Sequence, residues 1–184
     1  MNYQLIRSKR KTLSIEIKPD STVIVRAPYN MKASRIEDFV NAKTPWVNKQ
    51  LLRLEEAKKR QNSAEKLTPS ELEMLAKKAK EYIPERAEFY AKQIGVTYGK
   101  ITIRCQKAKW GSCSSKGNLN FNCLLMLTPP EVIDSVIVHE LCHLKEMNHG
   151  KRFYAEVLKA YPDYHRHRKW LKENGSAILS RIPD

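Results

Sequence analysis

Residues 132–144 read VIDSVIVHELCHL, a stretch dominated by apolar side chains into which two histidines and a glutamate are set. A helix of this composition has to be buried, and burying imidazoles and a carboxylate without partners is costly. Any fold for this chain must therefore bring a polar or ionic partner to His139, Glu140 and His143. On a helix, His139 and His143 lie one turn apart on the same face, so both rings can bind one ion from the same side. Glu140 sits about 100° round the helix from His139, where its carboxylate can flank the ion's water ligand as a general base.

A catalytic zinc takes three protein ligands and keeps a fourth position open. His149 is the leading third ligand: it can return to the ion if the helix ends near residues 146–148, and Asn148 with Gly150 suits a turn there. The spacing HExxHxxxxxH is that of the metzincin zinc peptidases, with Glu146 standing where those enzymes have glycine, so the turn has to be made differently. Glu156, on the following predicted helix, is the alternative third ligand. Cys142 points off the histidine face, on the side away from Glu140, and reads as core packing. Cys113 reads as a small buried turn residue, with an inhibitory thiolate at the metal as the competing role. His165 and His167, in HRHRKW, read as part of a basic solvated helix face.

The rest of the chain frames this helix. YQLIRS, TLSIEIK and TVIVRAP alternate apolar and polar residues and predict a small N-terminal antiparallel sheet. Helical spacing follows from residue 34, with a break or kink expected where Thr44 can cap and Pro45 can open a new helix. The polar stretch KRQNSAEK at 59–66 marks the expected boundary between an N-terminal segment, 1–65, and a second domain, 66–184. Thr68, Pro69 and Glu71 form a capping box that opens a helix running to Ile94 and stopping at Gly95, with Pro84 as a kink point. KITIRC and LNFNCLLML predict strands on either side of the turn WGSCSSKGN. Thr128, Pro129 and Glu131 repeat the capping-box pattern ahead of the histidine helix. Two further helices, divided at Pro162 and capped by Gly175, complete an α+β chain.

Charge enters when partners are considered. Lys and Arg total 34 against 20 Asp and Glu, a formal charge of +14. That excess favours anionic partners: nucleic acid, nucleotides, lipid heads or acidic polypeptides. The clusters Arg7 to Lys11, Lys58 to Arg60 and Arg166 to Lys169 could contact phosphates. No apolar run approaches the roughly 18 residues needed to span a bilayer, and MNYQLIRSKRK has no signal-peptide core. The four cysteines form no CxxC pair, so reduced thiols and a cytoplasmic location are expected. Oligomeric state is not encoded in any feature of the sequence.

WGSCSSKGNLNFN at 110–122 and VIVHELCHLKEMNHGKRFY at 136–154 resemble the YgjP-like family of zinc metallopeptidases, relatives of the SprT-like and wider zincin-type proteins. The resemblance runs over nearly the whole chain and is most specific in these two stretches. It implies a zincin-like catalytic domain with a short sheet and an active-site helix, Zn2+ held by His139, His143 and His149, Glu140 as the catalytic residue, and a peptide or protein substrate. It also implies that an edge strand beside the helix pairs with extended substrate, for which residues 118–126 are the natural candidate; Trp110 and Phe121 otherwise read as core anchors. Tyr154, Tyr161, Tyr164 and His165 are the candidate oxyanion donors. Two other readings compete: a metal-dependent hydrolase of an anionic substrate such as a nucleotide phosphoanhydride, and a nucleic-acid-associated module.

Overall fold

Among the three N-terminal strands, Val23–Pro28 (β3) is the most apolar, with Val23, Ile24, Val25 and Ala27 all buried. A strand that is apolar on both faces belongs in the middle of a sheet, and in the computed structural model, which describes residues 2–183, β3 lies between Gln4–Ser8 (β1) and Ser14–Ile17 (β2). This corrects the expected antiparallel sheet. β2 pairs antiparallel with β3, but β1 pairs parallel to it, so the sheet is mixed. With β3 inserted between them, β1 and β2 never meet as a hairpin, although they are neighbours in sequence. Val25 and Ala27 pack with Ile36 and Val40 of the helix Ala33–Asn62 (α1). That helix is continuous. The Thr44 hydroxyl does not cap a new start but donates to the Val40 carbonyl at 2.9 Å, and Pro45 lies in the helix interior.

The chain divides into two compact units, residues 1–60 and 61–184. The second opens with Pro69–Ile94 (α2), whose first turn is held by the expected reciprocal cap: the Glu71 N–H donates to the Thr68 hydroxyl and the Thr68 N–H to the Glu71 carboxylate. It stops at Gly95, which adopts φ 75°, a left-handed conformation that costs glycine little.

Ile101–Arg104 (β4), Gly111–Cys113 (β5) and Leu119–Asn122 (β6) form a second sheet in the order β4-β6-β5. The strand expected over 118–126 is shorter than its composition suggests. Asn122 ends it: its Oδ1 accepts from Leu124 N–H at 3.1 Å, and its Nδ2 donates to the carbonyls of Gln106 at 2.7 Å and Lys109 at 2.9 Å. The chain then turns through a 3-10 segment, Cys123–Leu127. A side chain that bonds its own following backbone competes with the ladder, and here it also anchors the loop leading into β5.

Pro130–Cys142 (α3) carries the histidine motif and is buried along most of its length. It begins within a residue of expectation but without a capping box; the Thr128 hydroxyl instead donates back to the Leu125 carbonyl at 2.8 Å. α3 shares the core with Leu75, Ala79, Ile83, Ala87 and Ala91 of α2, where small residues allow close approach. A fork of hydrogen bonds pins the two helices. Arg86 donates from Nε and Nη2 to both oxygens of Asp134, at 2.9 and 2.6 Å, and Tyr90 donates to the same carboxylate at 3.0 Å. Lys151–Ala160 (α4) and Tyr164–Leu179 (α5) close the unit. Gly175 does not cap the last helix. It lies inside α5, where an added Cβ would stand 3.1 Å from the Trp110 ring and push that ring aside by a few tenths of an ångström.

Candidate metal centre

α3 delivers His139 and Glu140 from its last turn and ends at Cys142, leaving His143 as the C-cap in right-handed helical conformation (φ −63°, ψ −20°). The one-turn relation between the two histidines is therefore kept, although the helix ends earlier than residues 146–148. The chain then folds back through hydrogen bonds from the Lys145 and Glu146 N–H groups to the Cys142 carbonyl. No glycine is needed at position 146: positive φ occurs, among the described residues, only at Ser21, Gly95 and Gly117. His149 precedes α4, and the return brings ligand atoms of His139, His143 and His149 within 4.8 Å of one another.

The second nitrogen of two of these rings is already engaged. His139 Nδ1 lies 2.7 Å from the Tyr164 hydroxyl, and His143 Nδ1 lies 3.2 Å from the Glu146 carbonyl. A carbonyl can only accept, so His143 carries its proton on Nδ1, and its Nε2 keeps a free lone pair. Assigning the Nδ1 proton of His139 to the bond with Tyr164 leaves its Nε2 free in the same way, facing His149 Nε2 at 3.0 Å. Without an ion this contact is an N–H···N hydrogen bond with the proton on His149 Nε2; with that proton released, both Nε2 lone pairs are free for one cation. Tetrahedral zinc with nitrogens at about 2.0–2.1 Å spaces its ligands roughly 3.3 Å apart, so the cluster fits a divalent ion on its own donor geometry.

Burial favours the neutral form of His139 and His143. Desolvation pushes His139 down to about 3, with the His143, His149 and Arg168 charges acting in the same direction, and burial lowers His143 too. All three rings pack on Phe153, which is fully buried on α4, with centroid distances of 4.9, 4.5 and 4.9 Å. Phe153 was not singled out in the sequence. Its signal was there: it falls four residues after His149, on the inward face of a strongly amphipathic helix.

Glu140 faces β5. An added Cβ on Gly111 would stand 2.7 Å from Glu140 Oε1 and 2.8 Å from its Cγ, so the glycine of WGSC is the space the carboxylate occupies. Burial pushes the Glu140 carboxyl up to about 8 against smaller opposing effects of Lys109 and the Cys113 backbone N–H. Cys113 is half-buried near this carboxylate, and burial raises its thiol. Cys142 is fully buried in the core, as expected.

Other candidates fall elsewhere. Glu156 pairs with Lys145 at 2.9 Å and is not in the histidine cluster. The Tyr161 hydroxyl donates to the Glu131 carbonyl at 3.0 Å, and Tyr164 is committed to His139. Tyr154 and His165 remain near the cluster, with the Tyr154 ring 6.3 Å from His149 and 6.1 Å from His165. His167 lies against Tyr161, its Nδ1 buried, so it is not the solvated side chain expected. Arg7, placed in a phosphate-binding cluster by sequence, donates to the backbone carbonyls of Tyr29 and Met31, each at 2.8 Å. Phe121 is a core anchor, whereas Trp110 is only half-buried and lines a cavity of about 280 Å³ beside His139 and Glu140.

These features, a buried His-Glu helix and a third histidine converging on one point, define a metallopeptidase-type centre. The sequence matches the model of the YgjP-like metallopeptidase domain over residues 11–74 and 59–174, and the chain belongs to that family. Two solved structures are similar at low identity. The crystal structure of the metallopeptidase zymogen of Pyrococcus abyssi abylysin shares 20% identity over 50% of this chain and 93% of that one, with a TM-score of 0.45. The crystal structure of the metallopeptidase zymogen of Methanocaldococcus jannaschii jannalysin shares 24% over 49% and 95%, with a TM-score of 0.41. No curated protein matches the chain.

Proposed function

We propose that this chain is a zinc-dependent peptidase in which His139, His143 and His149 hold the ion and Glu140 is the general base. The observation that carries this reading is the convergence of three imidazoles, two with Nδ1 already engaged, beside a buried carboxylate. Nitrogen ligands in a set of three, with a further position open, suit zinc. When bound, zinc supplies Lewis acidity that acidifies a water ligand and polarises a carbonyl. Glu140, backed by β5 and made more basic by burial, takes the water's proton and passes it to the leaving nitrogen. Tyr164 and the Glu146 carbonyl orient His139 and His143 through their Nδ1 atoms. Tyr154 and His165 supply the donors for the developing oxyanion.

The strand expected to pair with substrate, β6, is central in its sheet, and the free edge beside Glu140 belongs to β5. An extended peptide adding to β5 would bring its carbonyls past the base by backbone bonds alone. A reducing, cytoplasmic setting is supported by four free cysteines, and among the described residues no helix is long and apolar enough to cross a membrane. Hydrolysis of an unstructured protein by the zinc-loaded chain, abolished in Glu140→Gln while zinc is retained, is the expected result. Full activity in that variant would remove Glu140 from the mechanism.

A further inference from the structure

The cavity beside the histidine cluster has a composition that the hydrolytic chemistry does not use. It is lined by Ser135, Val136, His139 and Glu140 of α3, by Tyr164, Arg168 and Leu171 of α5, and by Lys109, Trp110 and Gly111. Apart from Glu140, its charged groups are both cations, Lys109 and Arg168. Lys109 acts electrostatically on Glu140, and neither cation forms a close ion pair with a carboxylate among the described residues. The Arg168 guanidinium, part of the lining, rests 5.6 Å from the centre of the Tyr154 ring. Lys109 is fixed through its backbone, since its carbonyl accepts from the buried Asn122 side chain at 2.9 Å. Val136, Leu171 and Trp110 add apolar surface to the same lining.

A space of about 280 Å³ lies below the roughly 300–1,000 Å³ of pockets that take whole small molecules. It holds one amino-acid side chain and is too small for a nucleoside together with its phosphates. Resting on the peptidase reading above, we infer that this cavity is a specificity pocket for a substrate residue bearing a carboxylate, either an acidic side chain or a free C-terminus, next to the scissile bond. Arg168 and Lys109 are its counter-charges, and the apolar lining takes the methylene stem. Arg168 forms the main contact because its planar fork matches a carboxylate.

The test measures binding separately from cleavage. Zinc-loaded Glu140→Gln protein is titrated, by fluorescence anisotropy, into labelled peptides that differ only in Glu against Gln at one position, and in a C-terminal acid against amide. One acid should bind about tenfold more tightly than its amide, the low end for a charged hydrogen bond at a partly exposed site. The pair that shows the difference identifies side chain or terminus. Adding Arg168→Glu should abolish the difference, Arg168→Lys should keep most of it, and raised salt should weaken it. Equal binding of both acid–amide pairs, or a preference that survives Arg168→Glu combined with Lys109→Glu, overturns the inference. So does displacement of the acidic peptide by a nucleoside triphosphate at lower concentration than by the unlabelled peptide itself. If the preference holds but wild-type protein cleaves none of the peptides it binds, the pocket stands and the peptidase reading fails.

Discussion

Three histidines and one glutamate do not make a site until their second atoms are accounted for. Here Tyr164 holds His139, the Glu146 carbonyl holds His143, and Gly111 makes room for Glu140. Tyr164→Phe removes only the hydroxyl that engages His139, and if His139 holds the ion as proposed, zinc affinity should fall about 10–100-fold, measured by competition with a chromophoric chelator. Gly111→Ala should leave zinc content unchanged, because no ligand is touched. It forces the Glu140 carboxylate aside, so turnover should fall about a hundredfold, the scale of a displacement near 1 Å. The convergence of His139 and His143, with Glu140 beside them, was legible in the sequence because helical periodicity alone places all three. Phe153, Lys109 and Arg168 were not, because they reach the site through packing between α3, α4, α5 and the loop ahead of β5, which no local pattern encodes.

At the scale of elements, α3 is positioned by the Arg86 fork on Asp134, five residues ahead of His139. Asp134→Ala would leave the guanidinium and the Tyr90 hydroxyl without their shared acceptor. Since Arg86 is 30% exposed, the cost should be about 2–3 kcal/mol, below that of a fully buried broken pair, read by urea denaturation. Element ends were legible where a side chain closes on its own backbone, as at Thr68, Glu71 and Gly95. Thr128 shows the limit of that reasoning: the same pattern of residues turned its hydroxyl toward Leu125. Strand order was hidden for a related reason. Alternation predicts a strand and its faces but not its neighbours, so neither the parallel pairing of β1 with β3 nor the central place of β6 could be read.

For the whole molecule, burial of the site makes stability depend on pH when no metal is bound. His139 is held at about 3 in the folded chain against an ordinary 6.5, so the unfolded state binds the extra proton and stability falls as pH drops from 6.5 toward 3. Glu140 is raised to about 8 from 4.5, so the folded state binds the extra proton and stability falls as pH rises from 4.5 toward 8. The two slopes oppose each other between 4.5 and 6.5, and this pair should give the metal-free protein a plateau there. Thermal melts of chelator-treated protein across that range check this, and Glu140→Gln should remove the alkaline decline and turn the plateau into a rise of stability with pH. If the neutral imidazoles of the folded chain hold zinc, adding it should raise Tm most at neutral pH and progressively less as acid protonates the rings.

The most direct measurement is elemental analysis of untagged protein beside His143→Ala and Glu140→Gln, with peptide hydrolysis assayed on the same samples. A metallopeptidase centre of this design predicts about one zinc per chain in the wild type and in Glu140→Gln, its loss in His143→Ala, and hydrolysis in the wild type only. Absence of bound metal, with none taken up on addition, would contradict the account, because the three converging imidazoles would then have no ion to hold.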